Sequence, residues 1–234
     1  MGYLSDHNIK AVCLDVDGTL YPRWMMNLFL SLSAFPHLSI GLRYNGVRKA
    51  YRREQDKLPP KSSDRAGLLE KQALLFLEGK GSPDQVKKME KRVDRQFYAA
   101  WRRSFKHVKA YPHMVQTLRE LKKKGLIITV ISDFPLECKL KTLKIDSIVD
   151  YAVSSEDTGF LKPSVVPFLY MTELMGVKPE NCLYCGDSYD KDVLGSKNAG
   201  MHSLLLTKKT KRTLFPEADL ICSDWYDVYE RLLK

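Results

Sequence analysis

Three short apolar segments, each ending in polar residues, constrain the fold of this chain most strongly. They span residues 9–15, 126–132 and 181–186 and are rich in Val, Ile, Leu and Cys, the third less so than the others. Such runs are typical of strands buried on both faces of a parallel sheet. Segments of helical periodicity, 113–124 and 164–175, lie between them. The pattern predicts right-handed βαβ units, and therefore an α/β fold with a doubly wound, mostly parallel sheet.

Chemically reactive side chains follow the three predicted strands, and a lysine precedes a predicted helix that starts after Pro163. In open α/β sheets, ligand sites form beyond the carboxyl ends of the strands, so these side chains can converge on one crevice. They offer a nucleophile, an acid and base, phosphate-binding groups and a metal site. The candidate residues are Asp15, Asp17, Thr19, Ser132, Lys162, Asp187 and Asp192.

The four motifs, in this order, resemble those of the haloacid dehalogenase superfamily of phosphatases and phosphotransferases. The resemblance covers nearly the whole predicted core and extends to Tyr111-Pro112 and to residues 195–201. The chain is similar to the phosphoglycolate phosphatase-like branch, in which a helical cap follows the first motif directly. This resemblance implies a Rossmann-like core, formed by residues 1–20 and 107–234, and an inserted α-helical cap domain, formed by residues 21–106.

The resemblance also implies catalytic roles. Asp15 would attack phosphorus and form an aspartyl-phosphate, which divides one difficult displacement into two easier ones. Asp17 would protonate the leaving oxygen and then deprotonate the hydrolytic water. Ser132 and Lys162 would hold the phosphoryl oxygens, and Thr19 would add a donor at the phosphate.

A magnesium ion is expected at the same crevice. Mg²⁺ prefers oxygen ligands in near-octahedral geometry, which the Asp15 carboxylate, the Asp17 carbonyl, Asp187, phosphate and waters can supply. Asp192 matches the family residue that completes or orients this acidic set. Carboxylates packed into one crevice repel one another unless a cation is present, which also favours a metal.

Asp17 separates the reactions of the superfamily. Dehalogenases lack a carboxylate two residues after the nucleophile, because a leaving halide needs no proton. We therefore expect a phosphomonoester hydrolase that acts on a small phosphorylated metabolite. Phosphomutases share all four motifs, and phosphonate-cleaving members need only an additional cap lysine, so both alternatives stay open. Ser132 and Asp133 have a structural alternative as the N-cap of a helix after Pro135.

The predicted cap begins with an unusually uncharged segment. Residues 24–42 contain no Asp, Glu, Lys or Arg, and 19 positions approach the length of a membrane span. The segment also contains Pro36, and it follows the first strand closely. We interpret it as two apolar cap helices broken at Pro36 rather than as a span or a partner surface. The expected cap helices span residues 23–35, 39–57, 64–78 and 83–106, with Asp64 and Ser82 as N-caps.

Nearly all the net charge lies in this region. Residues 43–109 hold 19 Lys and Arg against 8 Asp and Glu, or +11, and the remainder holds 19 against 20. A basic lid favours anionic substrates, although a solvated basic face is an alternative. Contact with nucleic acid or an anionic membrane surface is a further, less favoured possibility. The second functional class is a non-catalytic docking protein that binds an acidic partner through the basic cap.

The cysteine pattern indicates packing rather than chemistry. Cys182 and Cys185 form a Cys-x-x-Cys, but no second pair accompanies it, and a strand points the two to opposite faces. The expected reduced thiols and the lack of a recognisable signal sequence favour the cytoplasm. We expect a monomer or a weak dimer.

Overall fold

The sheet of this protein is parallel and has six strands. The structure is a computed structural model that describes residues 2–33, 38–136, 138–209 and 211–234. The strand order is β3-β2-β1-β4-β5-β6, so the order reverses direction between β1 and β4, at the middle of the sheet. The strands are β1 (Ala11–Leu14), β2 (Ile127–Ser132), β3 (Tyr151–Ser154), β4 (Cys182–Gly186), β5 (His202–Leu206) and β6 (Leu220–Cys222).

Helices connect the strands, and several of them lie together between β1 and β2. In the described part of the chain the helices are α1 (Tyr3–Asp6), α2 (Arg23–Ser33), α3 (Leu38–Glu54), α4 (Arg65–Phe76), α5 (Pro83–Val93), α6 (Ala99–Phe105), α7 (Met114–Lys123), α8 (Lys139–Thr142), α9 (Val165–Met175), α10 (Leu194–Asn198) and α11 (Trp225–Leu233). A π-helical turn, Asp94–Tyr98, joins α5 to α6.

The core lies on both faces of the sheet. Every residue of β1 is buried, and alternate side chains enter two different apolar clusters. Val12 and Leu14 pack with side chains of α7 and α11, whereas Ala11 and Cys13 pack with side chains of α9. A strand that must be apolar on both faces has no polar positions until it ends. The predicted α/β fold with a doubly wound parallel sheet is therefore confirmed.

The predicted elements agree with the structure in their type and differ in their limits. The three predicted strands correspond to β1, β2 and β4, whose observed ends lie up to two residues inside the predicted ones. The four predicted cap segments correspond to α2, α3, α4 and the run from α5 to α6. Pro36, the expected break, lies outside the described residues. The division into core and cap domains stays a prediction.

Two predicted helix N-caps are confirmed by their hydrogen bonds. The Asp64 side chain accepts from the amide of Gly67 at 2.8 Å. Ser82 and Gln85 form a capping box, in which each side chain accepts from the backbone amide of the other. These caps satisfy amides that the first turn of a helix leaves without a partner, and so they set where α4 and α5 begin.

Two further expectations can be compared with the structure. Among the described residues, none of the helices combines the length and the apolarity that a bilayer crossing requires. None of the five cysteines, all of which lie among the described residues, forms a disulfide. Cys182 and Cys185 belong to apolar clusters on opposite faces of the sheet, as expected for positions i and i+3 of a strand.

A buried ion pair attaches α3 to the core. Arg48 Nη1 lies 2.6 Å from Glu156 Oε1, and both side chains are almost completely buried. Tyr98 donates a second hydrogen bond to the same oxygen at 2.6 Å. The Arg48 guanidinium also lies over the Phe134 ring, 4.4 Å from its centroid. Because the two charges are desolvated, each depends on the other.

Replacing one partner of this pair should therefore destabilise the protein strongly. We expect Glu156→Ala to lower the free energy of unfolding by about 3–5 kcal/mol, because Arg48 keeps a buried charge without a counter-ion. The double variant Arg48→Met/Glu156→Leu should recover part of the loss. Urea unfolding measures both. The control is Glu70→Ala, which breaks the exposed pair with Lys61 and should cost under about 1 kcal/mol. If Glu156→Ala and Glu70→Ala lowered the free energy of unfolding equally, burial of the ion pair would not be the cause of the loss.

Candidate active site

The predicted site residues meet beyond the carboxyl ends of the three central strands. Asp15 directly follows β1, Ser132 ends β2, and Asp187 directly follows β4. β1 lies between β2 and β4, so the three strand ends are adjacent. Lys162 and Asp192 join them from the segments that precede α9 and α10. The crevice therefore lies at the topological switch point of the sheet, where α/β folds bind their ligands.

Both carboxylate oxygens of Asp15 are held in place. Lys162 Nζ lies 2.6 Å from Asp15 Oδ1, and Thr19 Oγ1 donates to Asp15 Oδ2 at 3.0 Å. Burial alone would raise the pKa of Asp15, but the Lys162 ammonium outweighs it and holds the pKa below its ordinary value. Asp15 is therefore an ionised, oriented carboxylate, which is what a nucleophile requires. The expected role of Thr19 as a donor at the phosphate stays a prediction.

Lys162 is the centre of the buried charges. Besides Asp15, its ammonium contacts Asp192 Oδ1 at 2.7 Å and the hydroxyl of Tyr184 at 2.9 Å. Burial disfavours the charged lysine, but the two carboxylates raise its pKa well above the ordinary value. Lys162 is thus a fixed cation beside Asp15, the position from which a lysine can hold a phosphoryl oxygen.

Three donors surround the carboxylate of Asp17. Ser132 Oγ and Lys139 Nζ lie 2.9 Å and 2.8 Å from Asp17 Oδ2, and Tyr21 donates to Asp17 Oδ1 at 2.6 Å. Ser132 in turn accepts from Lys139 at 2.6 Å. Asp15 and Asp17 therefore each have a separate lysine, Lys162 for the first and Lys139 for the second.

Lys139 is the principal residue that the sequence interpretation missed. It is completely buried, with its ammonium 4.3 Å from the centroid of the Trp101 ring. Burial lowers its pKa, although the negative charge of Asp17 opposes that shift. In the sequence it is a lysine in a basic stretch, two residues before the exposed Lys141, and nothing there distinguishes the two. Only the fold shows that Lys139 turns inward.

The structure also decides the alternative for Ser132 and Asp133. The helix after Pro135 begins at Lys139 with Cys138 in the N-cap position, so Ser132 and Asp133 do not cap it. Asp133 is instead buried and accepts from Arg52 Nη2 at 2.7 Å and from the backbone amide of Lys162 at 3.3 Å. The pKa of Asp133 is lowered despite burial because the Arg52 guanidinium and Lys162 lie beside it. Asp133 therefore links the two loops that carry Ser132 and Lys162.

An acidic cluster lies next to the nucleophile. Carboxylate oxygens of Asp15, Asp187 and Asp192 all lie within 4.8 Å of one another. Burial and the charges of Asp15 and Asp192 raise the pKa of Asp187 to about 7, and burial raises that of Asp192. Asp192 has both oxygens engaged, one by Lys162 and one by the amide of Ser188 at 3.0 Å. The repulsion among these carboxylates is the condition that a divalent cation relieves.

Arg23, the first residue of α2, contacts the atoms that were predicted to bind the metal. Its Nη2 donates to the Asp17 carbonyl at 2.6 Å and to Asp187 Oδ1 at 3.0 Å. Its side chain is 46% exposed, so it can turn toward solvent. Gly18 has a φ of +111°, and a Cβ there would lie 2.2 Å from Asp187 Oδ2. The carboxylate oxygens of the cluster and the Asp17 carbonyl are the type of ligand that Mg²⁺ prefers.

Removing Arg23 should strengthen cation binding. We expect Arg23→Gln to bind Mg²⁺ about tenfold more tightly, because a charged hydrogen bond of about 1.5 kcal/mol no longer competes for Asp17 and Asp187. Isothermal titration calorimetry with Mg²⁺ measures the change. The matched control, Arg43→Gln, removes an arginine that bonds the carbonyl of Phe76, and it should bind as the parent does. Weaker Mg²⁺ binding by Arg23→Gln would contradict competition between Arg23 and the ion. Asp187→Asn should abolish Mg²⁺ binding.

Two arginines of α3 are engaged by other parts of the protein. Arg48 bonds Glu156 and the carbonyl of Asp133, and Arg52 bonds Asp133 and the carbonyl of Lys162 at 3.0 Å. Their charges therefore hold α3 against the two catalytic loops. The sequence could not separate these two arginines from the exposed Arg53, Lys91 and Arg95.

Comparison with known proteins agrees with this fold and site. A family model described as haloacid dehalogenase-like hydrolase matches residues 9–200. The match includes every candidate site residue. The chain belongs to this family of hydrolases, and the resemblance found in the sequence is confirmed.

Two relatives of known name are both phosphatases. Glyceraldehyde 3-phosphate phosphatase of Methanopyrus kandleri is 29% identical over 216 residues, which is 90% of this chain and 89% of the relative. Pyrophosphatase PpaX of Bacillus cereus is 32% identical over 114 residues, 47% of this chain and 52% of the relative. The second match spans only about half of each protein. The expectation of an enzyme of the phosphatase type is supported by both relatives.

The fold is shared with enzymes of different chemistry. A solved 2-haloacid dehalogenase of Pseudomonas syringae pv. Tomato superposes with a TM-score of 0.62, at 18% identity. The superposition covers 95% of this chain and 97% of the dehalogenase. At this identity the likeness shows the fold alone. Whether the reaction is dehalogenation or phosphate transfer must be inferred from the residues of the site.

Proposed function

We propose that this protein is a Mg²⁺-dependent phosphomonoester hydrolase that acts on a small phosphorylated metabolite through an aspartyl-phosphate on Asp15. One observation carries the proposal. An ionised, oriented Asp15 lies at the end of the same strand as a second carboxylate, Asp17, which has its own set of donors. A dehalogenase would need the first carboxylate alone, whereas phosphate transfer to water needs both.

The chemistry assigned to these residues has two steps. Asp15 Oδ attacks phosphorus, the bond from phosphorus to the leaving oxygen breaks, and Asp17 gives that oxygen a proton. Asp17 then takes a proton from a water molecule, which attacks phosphorus and breaks its bond to Asp15. Inorganic phosphate leaves and the Asp15 carboxylate is restored. Lys162, Ser132 and Lys139 hold the phosphoryl oxygens and the Asp17 carboxylate in position.

The proposed metal site uses residues described above. Asp15, the carbonyl of Asp17 and Asp187 would hold Mg²⁺, and Asp192 would orient Lys162 beside it. When bound, the ion neutralises charge on the phosphoryl oxygens. Arg23 now bonds the Asp17 carbonyl and Asp187 and would have to release them for an ion to bind there. Burial and the neighbouring carboxylates raise the pKa of Asp187, and the repulsion among these carboxylates supports this assignment.

The relatives support the substrate class. Their names refer to glyceraldehyde 3-phosphate and to pyrophosphate, both small phosphorylated compounds. We also propose that residues 21–106 act as a cap domain over the core, because Arg48 and Arg52 attach α3 to the catalytic loops. The five cysteines, none of which is in a disulfide, support a reducing compartment such as the cytoplasm. A monomer or weak dimer remains part of the proposal.

A phosphate-release assay over a panel of phosphorylated metabolites tests the function. With Mg²⁺, we expect at least one compound with a kcat/KM of about 10⁴ M⁻¹s⁻¹ or more. Asp15→Asn should abolish release, because the nucleophile is lost. Asp17→Asn should remove turnover and leave Asp15 able to react with an activated aryl phosphate. Conversion of one sugar phosphate to an isomer, without phosphate release, would indicate a mutase. No reaction that depends on Asp15 would favour a docking protein.

A second experiment tests the lysine that the sequence did not indicate. Lys139→Met keeps the length of an apolar side chain beside Trp101 and removes the cation at Asp17. We expect kcat to fall by about 10²-fold with a smaller change in KM, because a charged group oriented at the proton-transferring carboxylate is lost. The matched control is the exposed Lys141→Met, which should leave kcat unchanged. If the loss of activity in Lys139→Met were explained by the fraction of protein that is unfolded at the assay temperature, a catalytic contribution would be contradicted.

A further inference from the structure

One face of α2 exposes three large apolar side chains. Trp24, Leu28 and Leu32 are 65%, 48% and 68% exposed. They recur every four residues, so they share one side of the helix, which we call the α2 face. Single exposed apolar residues are common on protein surfaces and need no explanation. Three in a row on one helix form a patch of the kind that marks an interaction site.

The opposite side of the same helix is already buried. Met26 is buried, Leu30 packs against the main apolar cluster, and α2 contacts α6 along its length. The other exposed positions between the three apolar side chains, Asn27 and Ser31, carry no charge. The α2 face therefore does not take part in packing against the core. Packing alone does not explain why this part of the sequence is apolar and uncharged.

Basic residues lie near one flank of α2. Phe29 of α2 contacts His107, 5.2 Å between ring centroids, just after α6 ends. Arg103, Lys106 and Lys109, which are within four positions of His107 in the chain, are exposed, and we call them the basic border. They belong to residues 43–109, which carry a formal charge of +11. The helix therefore combines an exposed apolar face with cationic residues near one of its flanks.

This combination determines the kind of partner. A second copy of the chain would bring two basic borders close together, which is unfavourable. Single-stranded nucleic acid binds by stacking on aromatic rings, and two of the three side chains are leucines. An anionic bilayer complements both the apolar face and the basic residues. Its headgroups attract basic side chains, and its interfacial region accepts apolar ones. Tryptophan is favoured in this interfacial region. We propose that the α2 face docks this protein on the surface of anionic membranes.

Docking would bring the membrane close to the catalytic crevice. Trp24 directly follows Arg23, whose guanidinium bonds the carbonyl of Asp17 and Asp187. The α2 face thus begins one residue from the proposed metal site. Membrane binding itself does not rest on the proposed reaction, so it is measured without any substrate.

Vesicle titration followed by tryptophan fluorescence tests the proposal. Trp101 and Trp225 are buried, so a change in emission reports Trp24. We expect a blue shift with vesicles that contain about 30 mol% phosphatidylglycerol and none with phosphatidylcholine alone. Brominated phospholipid should quench the emission. Binding should weaken as NaCl rises from about 0.05 M to about 0.5 M, because salt screens the basic border.

Paired variants separate the α2 face from other apolar surface. Leu28→Ser/Leu32→Ser should lower the partition coefficient by at least about tenfold. The control is Leu169→Ser/Leu174→Ser on α9, which removes two side chains of similar exposure and should bind as the parent does. Thermal unfolding and the phosphatase activity of each variant show whether it is folded.

Other outcomes would overturn the inference. Absence of binding to the anionic vesicles at low salt, or an equal loss in both paired variants, contradicts docking through the α2 face. Dimerisation that Leu28→Ser/Leu32→Ser abolishes, without vesicle binding, would assign the face to a second copy. Retention of the folded protein by single-stranded DNA, with no response to vesicles, would assign the basic border to nucleic acid.

Discussion

The contact of Lys162 with Asp15 and Asp192 is the interaction on which the rest of the site depends. Three charges lie together at the end of a sheet whose strands are buried on both faces, at distances of 2.6 Å and 2.7 Å. Removing Lys162 would leave two buried carboxylates without a counter-ion. Because each residue belongs to a different loop, the pair of contacts also fixes the loop after β1, the loop before α9 and the loop after β4 relative to one another.

A second set of charges extends this arrangement to the helices between β1 and β2. Asp133 accepts from the amide of Lys162 and from the guanidinium of Arg52, so α3 is connected to the segment that positions the ammonium. Arg48 and Glu156 form a parallel connection one helical turn away. The basic character of this region is therefore partly internal. Some of its arginines neutralise carboxylates of the core, and the remainder face solvent.

The sequence predicted the central sheet because buried parallel strands leave a strong signal. β1, β2 and β4 are continuous apolar runs, whereas β3, β5 and β6 are short, partly exposed and were not predicted. Asp15, Asp17, Ser132, Lys162 and Asp187 were predicted because they belong to recognisable motifs, and Asp192 was predicted from the family resemblance. Lys139, Tyr21 and Arg23 were not, since their contacts depend on side chains that turn toward the site from irregular segments or from the start of a helix. Residue type alone cannot distinguish an inward lysine from an exposed one.

The two lysines explain how one crevice can keep two carboxylates in different roles. Lys162 holds Asp15 as an anion and is itself held charged by Asp192. Lys139 has a weaker hold on its proton, since it is buried against Trp101 and its pKa is lowered. Asp17 also accepts from two hydroxyls, Ser132 and Tyr21, which can adjust when it gains a proton. A carboxylate that must exchange a proton needs such neighbours, whereas a nucleophile needs a fixed cation. The difference between the two environments, rather than either carboxylate alone, suits the site to transferring phosphate to water.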